Sequence, residues 1–297
     1  MQVSVIIPAF NRASTLARAL RSVLTQKGAS FELIVVDDGS NDTSRAVVEQ
    51  LGQKHPEIRY LFQTRMGPAA ARNVGIKNAR APFVAFLDSD DEWLPGKLKA
   101  QLKFFEETPA CLICQTDEIW IRNGTRVNPM KKHRKAGGFI FERCVSLSMV
   151  SPSCVMMRKA FFDRVGFFDE SLPACEDYDL WLRTSACLPI GLVERPYVIR
   201  YGGHADQRSR QFEVMDQFRV RALLKILRSG MITADQRKIA SQELERKCRI
   251  IIRGALKRGK YELADYFKGV LEKARYPEAS PAVPKALPVS LRSRLDV

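Results

Sequence analysis

The stretch Phe83-Val84-Ala85-Phe86-Leu87-Asp88-Ser89-Asp90-Asp91 sets three carboxylates directly after a five-residue apolar run. The run reads as a strand buried on both faces. Carboxylates crowded at the end of such a strand repel one another unless something positive joins them. Asp88 and Asp90 can point to the same side of the chain. Hard oxygen ligands facing a diphosphate suit Mg²⁺ or Mn²⁺. The same residues would equally make a solvated turn with a helix cap, because Trp93-Leu94-Pro95 follows.

The preceding elements must position this cluster. Val3 to Pro8 is a strand, and Ala9-Phe10-Asn11-Arg12 is a polar break. Ser14 or Thr15 can cap a helix in which Leu16, Ala19, Leu20, Val23 and Leu24 recur at helical spacing. Phe31 to Val36 is a second buried strand ending in Asp37-Asp38-Gly39-Ser40, followed by a helix with Ala46, Val47 and Leu51. Ile58 to Phe62 is a third strand, Gly67-Pro68 a turn, and Ala69 to Ala79 a helix of small residues. Strand and helix in strict alternation predict a doubly wound α/β fold with a parallel sheet. Ligands of such sheets bind beyond the carboxyl ends of the strands, where all three polar breaks fall. The first strand is not followed by G-x-G-x-x-G, and no G-x-x-x-x-G-K-[ST] occurs, which argues against a dinucleotide fingerprint and a P-loop.

Val5-Ile6-Ile7-Pro8-Ala9-Phe10-Asn11, Val35-Val36-Asp37-Asp38-Gly39-Ser40, Ala71-Arg72-Asn73-Val74-Gly75 and Leu87-Asp88-Ser89-Asp90-Asp91 together resemble the family 2 inverting glycosyltransferases of the GT-A fold. Val165-Gly166-Phe167-Phe168-Asp169-Glu170 and Cys175-Glu176-Asp177-Tyr178-Asp179-Leu180-Trp181 extend the resemblance, which covers roughly residues 2 to 210. It implies a Rossmann-like, mostly parallel sheet and transfer of a sugar from a nucleotide-sugar, a UDP-sugar expected, to a saccharide or lipid-linked acceptor. It implies further that Pro8, Ala9, Asn11 and Arg12 line the nucleotide pocket and that Asp38 bonds the base. Asp88-Ser89-Asp90 matches the D-x-D signature, with Asp90 at the metal (Mn²⁺ or Mg²⁺) and Asp88 and Ser89 on the donor side. Arg72 has two open roles, a contact to base or phosphate and a salt bridge on a helix surface. Asp177 matches the catalytic base, with Glu176 as acceptor contact or support. His204 matches a metal or diphosphate ligand, although Gly202-Gly203 intervenes where relatives show Arg-Tyr-His. An inverting transfer asks for such a set: a carboxylate takes the acceptor's proton while cations neutralise the leaving diphosphate.

The remaining chemistry-bearing residues read more plainly. Leu98, Leu102 and Phe105 mark an amphipathic helix over residues 97 to 107, and 111 to 121 and 138 to 141 read as strands. Lys131-Lys132-His133-Arg134-Lys135 ahead of Ala136-Gly137-Gly138 reads as a mobile loop with a solvated charge run. Cys111 and Cys114 form a C-x-x-C, but no second pair completes a zinc site, and an apolar strand makes both small hydrophobes. Seven scattered cysteines fit free thiols in a reducing compartment.

After residue 210 the pattern turns helical, with Phe212 to Leu227, Leu244 to Leu256 and Tyr261 to Leu271 as three segments rich in Lys and Arg. A helical C-terminal region over 211–275 and a proline-containing tail over 276–297 are expected, beside a GT-A domain over 1–210. The net charge is +15, and two thirds of the excess lies after residue 200. Such a surface attracts anionic lipid, nucleic acid or anionic substrate. These helices are expected to pack on the catalytic domain, with some peripheral membrane affinity beside it, and no nucleic acid is expected, because aromatic-rich basic readout motifs are missing. Neither a transmembrane run nor the charged flank of a signal peptide occurs, so a cytoplasmic enzyme, at most at the inner face of the membrane, is expected. The enzymatic alternative, a sugar-1-phosphate nucleotidyltransferase, would need a glycine-rich loop that Ala9-Phe10-Asn11-Arg12 lacks.

Overall fold

The computed structural model describes residues 1–203, 207 and 211–275. The chain opens with β1 (Val3–Ala9), α1 (Ala13–Leu24), β2 (Phe31–Asp37), α2 (Ser44–Gly52), β3 (Ile58–Phe62), α3 (Pro68–Asn78) and β4 (Phe83–Phe86). These strands run parallel in the order β3-β2-β1-β4. All of β1 and all of β2 beyond Phe31 are buried, so both are unbroken apolar runs instead of alternating ones. Helix α1 turns Leu16, Ala19, Leu20 and Val23 onto the sheet. Helix α3 lies closer still. A Cβ at Gly75 would sit 2.4 Å from Ile6 Cγ2, so only glycine permits this approach to β1.

The second half comprises β5 (Glu92–Trp93), α4 (Lys97–Glu107), β6 (Ile113–Arg122), β7 (Thr125–Val127), α5 (Phe141–Ser146), β8 (Val155–Arg158), α6 (Ala160–Val165), α7 (Glu176–Cys187) and β9 (Gly191–Gly202). Strand β8 runs antiparallel between β4 and β6, and β9 lies parallel to β6 and antiparallel to β5. The parallel half is thus extended by a mixed one. The strand expected at 138–141 is absent. Gly138 makes one isolated bridge to Ile190, and Phe141 opens α5, whose Phe141, Cys144 and Val145 are buried at helical spacing.

Three helices follow, α8 (Asp216–Arg228), α9 (Ala234–Lys257) and α10 (Tyr261–Arg275). Thr233 and Gln236 form a reciprocal capping box at the start of α9. Their apolar faces share one cluster with α5 and α7, in which Val145, Tyr178 and Leu182 meet Leu223, Leu244 and Phe267. The helical region is therefore joined through a common core to the helix that begins at Glu176. No helix of the described residues is long and apolar enough to cross a membrane. The tail expected over 276–297 lies outside the described residues.

Candidate active site

A cleft of about 340 Å³ opens at the carboxyl ends of the parallel strands. Pro8, Ala9, Phe10, Arg12 and Asp38 line it from the β1 and β2 loops, Arg72 from α3, and Asp88 to Asp91 from the loop after β4. Ser148, Glu176 and Asp177 close it from the second half. The fold thus gathers on one rim most of the residues singled out in the sequence.

Three anchors fix the carboxylate loop. Arg72 is buried, and its Nη2 donates to Asp88 Oδ1 at 2.7 Å while its Nη1 donates to Glu176 Oε1 at 2.7 Å. Ser153 Oγ donates to Asp91 Oδ2 at 2.6 Å, and the Tyr201 amide donates to Asp91 Oδ1 at 3.1 Å. Arg18 Nη2 donates to the Asp90 carbonyl at 2.7 Å, its guanidinium stacked 3.8 Å over the Tyr201 ring. Burial, then the charges of Asp90 and Asp88, push the Asp91 carboxyl well above the usual carboxylate range. Excess negative charge around Asp90 is what a divalent cation would relieve. Among the described residues no three His, Cys, Asp or Glu side chains form a metal-holding group. A divalent cation here would have Asp90 as its protein ligand and would leave positions for oxygens of a bound molecule, as Mg²⁺-type sites do.

Asp177 stands in the first turn of α7 beside Glu176 and Asp179, where the helix dipole favours carboxylates. Cys175, the residue before the helix, takes φ 61°, a left-handed conformation uncommon for a side-chain-bearing residue. Asp177 Oδ1 accepts from the Tyr178 amide at 2.7 Å and Oδ2 from Ser148 Oγ at 3.1 Å. Burial lifts the Glu176 carboxyl above its usual range, with Arg72 opposing and the Asp177 charge adding.

Some assignments need correcting. Asn11 does not line the cleft. Its φ of 51° turns the side chain toward the neighbouring loop, where Oδ1 accepts from the Asn41 amide at 2.9 Å. Arg72 makes no surface salt bridge, because its partners Asp88 and Glu176 converge on it inside the fold. Asp38 does line the cleft, and its carboxylate accepts from Gln63 Nε2 and from the Met66 and Gly67 amides, at 2.7 to 2.8 Å, so it also shapes the loop before α3. The solvated reading of the basic run fails at Lys135, which is buried 3.3 Å from Glu118. His204 lies outside the described residues. Ser148, Ser153, Arg18 and Arg200 were missed, as was Arg219 of α8, which also lines the cleft. Only Arg200 had a signal, as the residue before the Tyr201 segment.

The architecture, a doubly wound sheet with a carboxylate loop at its rim, is the GT-A fold of nucleotide-sugar-dependent transferases. Residues 4–166 match the Glycosyl transferase family 2 model, more than half of the chain, and the protein belongs to that family. An uncharacterised glycosyltransferase of Rickettsia felis is 33% identical over 194 residues, covering 65% of this chain and 32% of the relative. The succinoglycan biosynthesis protein ExoU of Rhizobium meliloti is 33% identical over 195 residues, covering 62% of this chain and 57% of the relative. The match thus spans about a third of the length of the Rickettsia felis relative and of a similar one from Rickettsia conorii. Among solved structures, S. aureus TarS 1-349 in complex with UDP-GlcNAc is similar at a TM-score of 0.76 and 23% identity, over 92% of this chain and 81% of that one. The mannosyltransferase PcManGT of Pyrobaculum calidifontis, in complex with GDP-Man and Mn²⁺, is similar at a TM-score of 0.61 and 17% identity, over 99% of this chain and 80% of that one.

Proposed function

We propose that the protein is an inverting glycosyltransferase that takes a sugar from a nucleoside-diphosphate sugar, a UDP-sugar foremost, to a saccharide or lipid-linked hydroxyl acceptor in surface polysaccharide or lipopolysaccharide synthesis. One observation carries the reading: the loop that holds Asp90 and the helix that begins at Glu176 and carries Asp177 face one cleft and are tied to each other through Arg72. The complexes of TarS with UDP-GlcNAc and of PcManGT with GDP-Man and Mn²⁺ support the donor class. The family and the succinoglycan protein support the polysaccharide setting.

Pro8, Ala9, Arg12 and Asp38 would shape the nucleotide end of the cleft, with Asp88 and Ser89 beneath the donor. Asp90 would hold Mn²⁺ or Mg²⁺, which when bound neutralises charge on the diphosphate. Asp177 takes the acceptor proton as the hydroxyl oxygen bonds to the anomeric carbon and the bond to the diphosphate breaks. Ser148 orients the Asp177 carboxylate by its hydrogen bond. Glu176, held by Arg72, fixes the first turn of α7. Because proton removal belongs to the transition state, the base contributes to turnover more than to donor affinity. Seven free thiols fit work in the cytoplasm, and the basic C-terminal helices a contact with the inner face of the membrane.

The test is a panel of nucleotide-sugars screened by thermal shift with and without Mn²⁺. A donor raises the midpoint by mass action, and more so with metal. A flat response to every nucleotide-sugar would refute the reading.

A further inference from the structure

Behind the cleft lies a buried polar hub that the chemistry above does not use. Glu118, on β6, has a side chain 5% exposed, yet it is a carboxylate. Four groups converge on it. Trp120 Nε1 donates to Oε1 at 2.8 Å and Cys154 Sγ to Oε2 at 3.1 Å. Lys135 Nζ lies 3.3 Å from Oε1, and Arg200 Nη1 3.8 Å. Lys135, itself buried, also donates to Ser151 Oγ at 3.0 Å and to the Met149 carbonyl at 3.2 Å. Ser151 Oγ in turn accepts from Arg200 Nη1 at 3.5 Å. Burial alone would raise the Glu118 carboxyl, but Lys135 and Arg200 hold it well below the usual range.

Arg200 connects this hub to the cleft. It belongs to β9, whose next residue, Tyr201, bonds Asp91 through its amide, and it lines the cleft with Asp88 to Asp91. Its side chain is half exposed, with one end toward Glu118 and Ser151. Arg72, another arginine lining the cleft, has its guanidinium bound to Asp88 and Glu176. Among the described residues the ion-pair partner of Arg200 is Glu118, on the hub side, so its charge also reaches the end of the cleft where Asp88 and Asp91 stand. A guanidinium is permanently charged and matches phosphate geometry.

We infer that Arg200 binds the diphosphate of the donor and that Glu118 and Lys135 are positioning residues that hold Arg200 in place. The inference rests on the donor reading above. Glu118 supplies the direction, since a long half-exposed side chain otherwise samples many rotamers. Lys135 keeps Glu118 ionised, since a buried carboxylate without a partner would neutralise.

The experiment compares a nucleoside diphosphate with its nucleoside. UDP, GDP and dTDP are titrated into the full chain by calorimetry with Mn²⁺, and the tightest binder is paired with its nucleoside. Arg200→Ala is expected to weaken the diphosphate by about 10- to 100-fold, the scale of a charged hydrogen bond, and the nucleoside by less than about twofold. Glu118→Gln is expected to reproduce the same selective loss in part. Removing one member of a buried pair can unfold a protein, so Glu118→Gln/Lys135→Met keeps the hub filled and uncharged. That double variant should fold and still discriminate poorly between diphosphate and nucleoside. If it binds the diphosphate like the wild type, the positioning role is wrong. If Arg200→Ala loses both ligands equally or neither, the diphosphate contact is wrong. If the wild type binds none of the three diphosphates, the donor reading fails instead.

Discussion

Arg72 Nη1 and Glu176 Oε1 lie 2.7 Å apart although 104 positions separate the two residues in the chain. The other end of the same guanidinium holds Asp88 at 2.7 Å. One buried arginine therefore sets the distance between the carboxylate loop of the parallel half and the start of α7. A lysine carries the charge but cannot bridge two carboxylates in fixed directions.

Arg72→Met is expected to lower stability by about 3 kcal/mol, because it leaves Glu176 buried and unpaired. Arg72→Lys should cost less stability yet still weaken donor binding. Urea denaturation beside calorimetric donor titration checks both. Wild-type donor affinity in a folded Arg72→Lys protein would show that the bridge is structural only.

Asp90→Ala is expected to abolish the Mn²⁺-dependent part of nucleotide affinity while leaving the melting temperature of the unliganded protein within a few degrees. Its carboxylate sits where Asp88 and Asp91 already crowd, so removing it relieves repulsion on Asp91. Titration of UDP with and without Mn²⁺ checks this. Equal metal enhancement in the variant would move the metal away from Asp90.

Lys97 yields a pH signature. Its side chain is fully buried, with Nζ 2.6 Å from Gln101 Oε1 and 4.0 Å above the Trp93 ring, and burial pushes the ammonium down to about 7. In the unfolded chain a lysine keeps its proton to about pH 10.4. Between those values the unfolded state binds more protons, so stability rises with pH, by at most about 1.4 kcal/mol per unit. Lys97→Met should flatten that rise and be more stable than the wild type near pH 7. Denaturation midpoints at several values from pH 7 to about pH 10 check it, and identical slopes for the two proteins would exclude the mechanism.

The helical region adds a fourth expectation. Arg253 and Lys257 are exposed on α9, with Ile250 and Leu256 exposed beside them. Basic residues near an anionic surface each contribute about 1 kcal/mol, and salt screens them. The full chain should sediment with phosphatidylglycerol-containing vesicles at low salt, and Arg253→Glu/Lys257→Glu should sediment less. Equal binding to neutral and anionic vesicles would leave the charge as a matter of solubility.

The parallel half was legible because buried strands give unbroken apolar runs and the rim residues follow them directly, as at Asp38 and Asp88. The segment 138–141 misled because a short apolar stretch carries no period, and α5 owes its helix to packing against α7 and α9. Lys135 and Lys97 look like surface lysines in sequence. Each is buried because other side chains receive it, Glu118 on β6 in one case and Trp93 with Gln101, four positions to either side, in the other. Ser148 and Ser153 both precede β8 without a local pattern, and only tertiary placement brings them to Asp177 and Asp91.

Asp177→Asn separates the transferase reading from its rivals. The substitution keeps the shape of the side chain and its place in the first turn of α7, and the Ser148 hydroxyl can still donate to the amide oxygen. What it removes is the capacity to take a proton. Donor affinity should therefore change by less than about threefold, while turnover with saturating donor falls by about 10²- to 10⁴-fold. The loss should fall on kcat and leave donor KM nearly unchanged, since proton transfer is made only in the transition state. Transfer to acceptor measured beside direct donor binding gives both numbers. A near-wild-type rate in Asp177→Asn would place the base elsewhere. Glu176 would then be a poor successor, because it is buried and committed to Arg72. Asp179 would be no better, with Oδ2 bonded to Arg183 at 2.9 Å and Oδ1 to Lys225 at 2.7 Å.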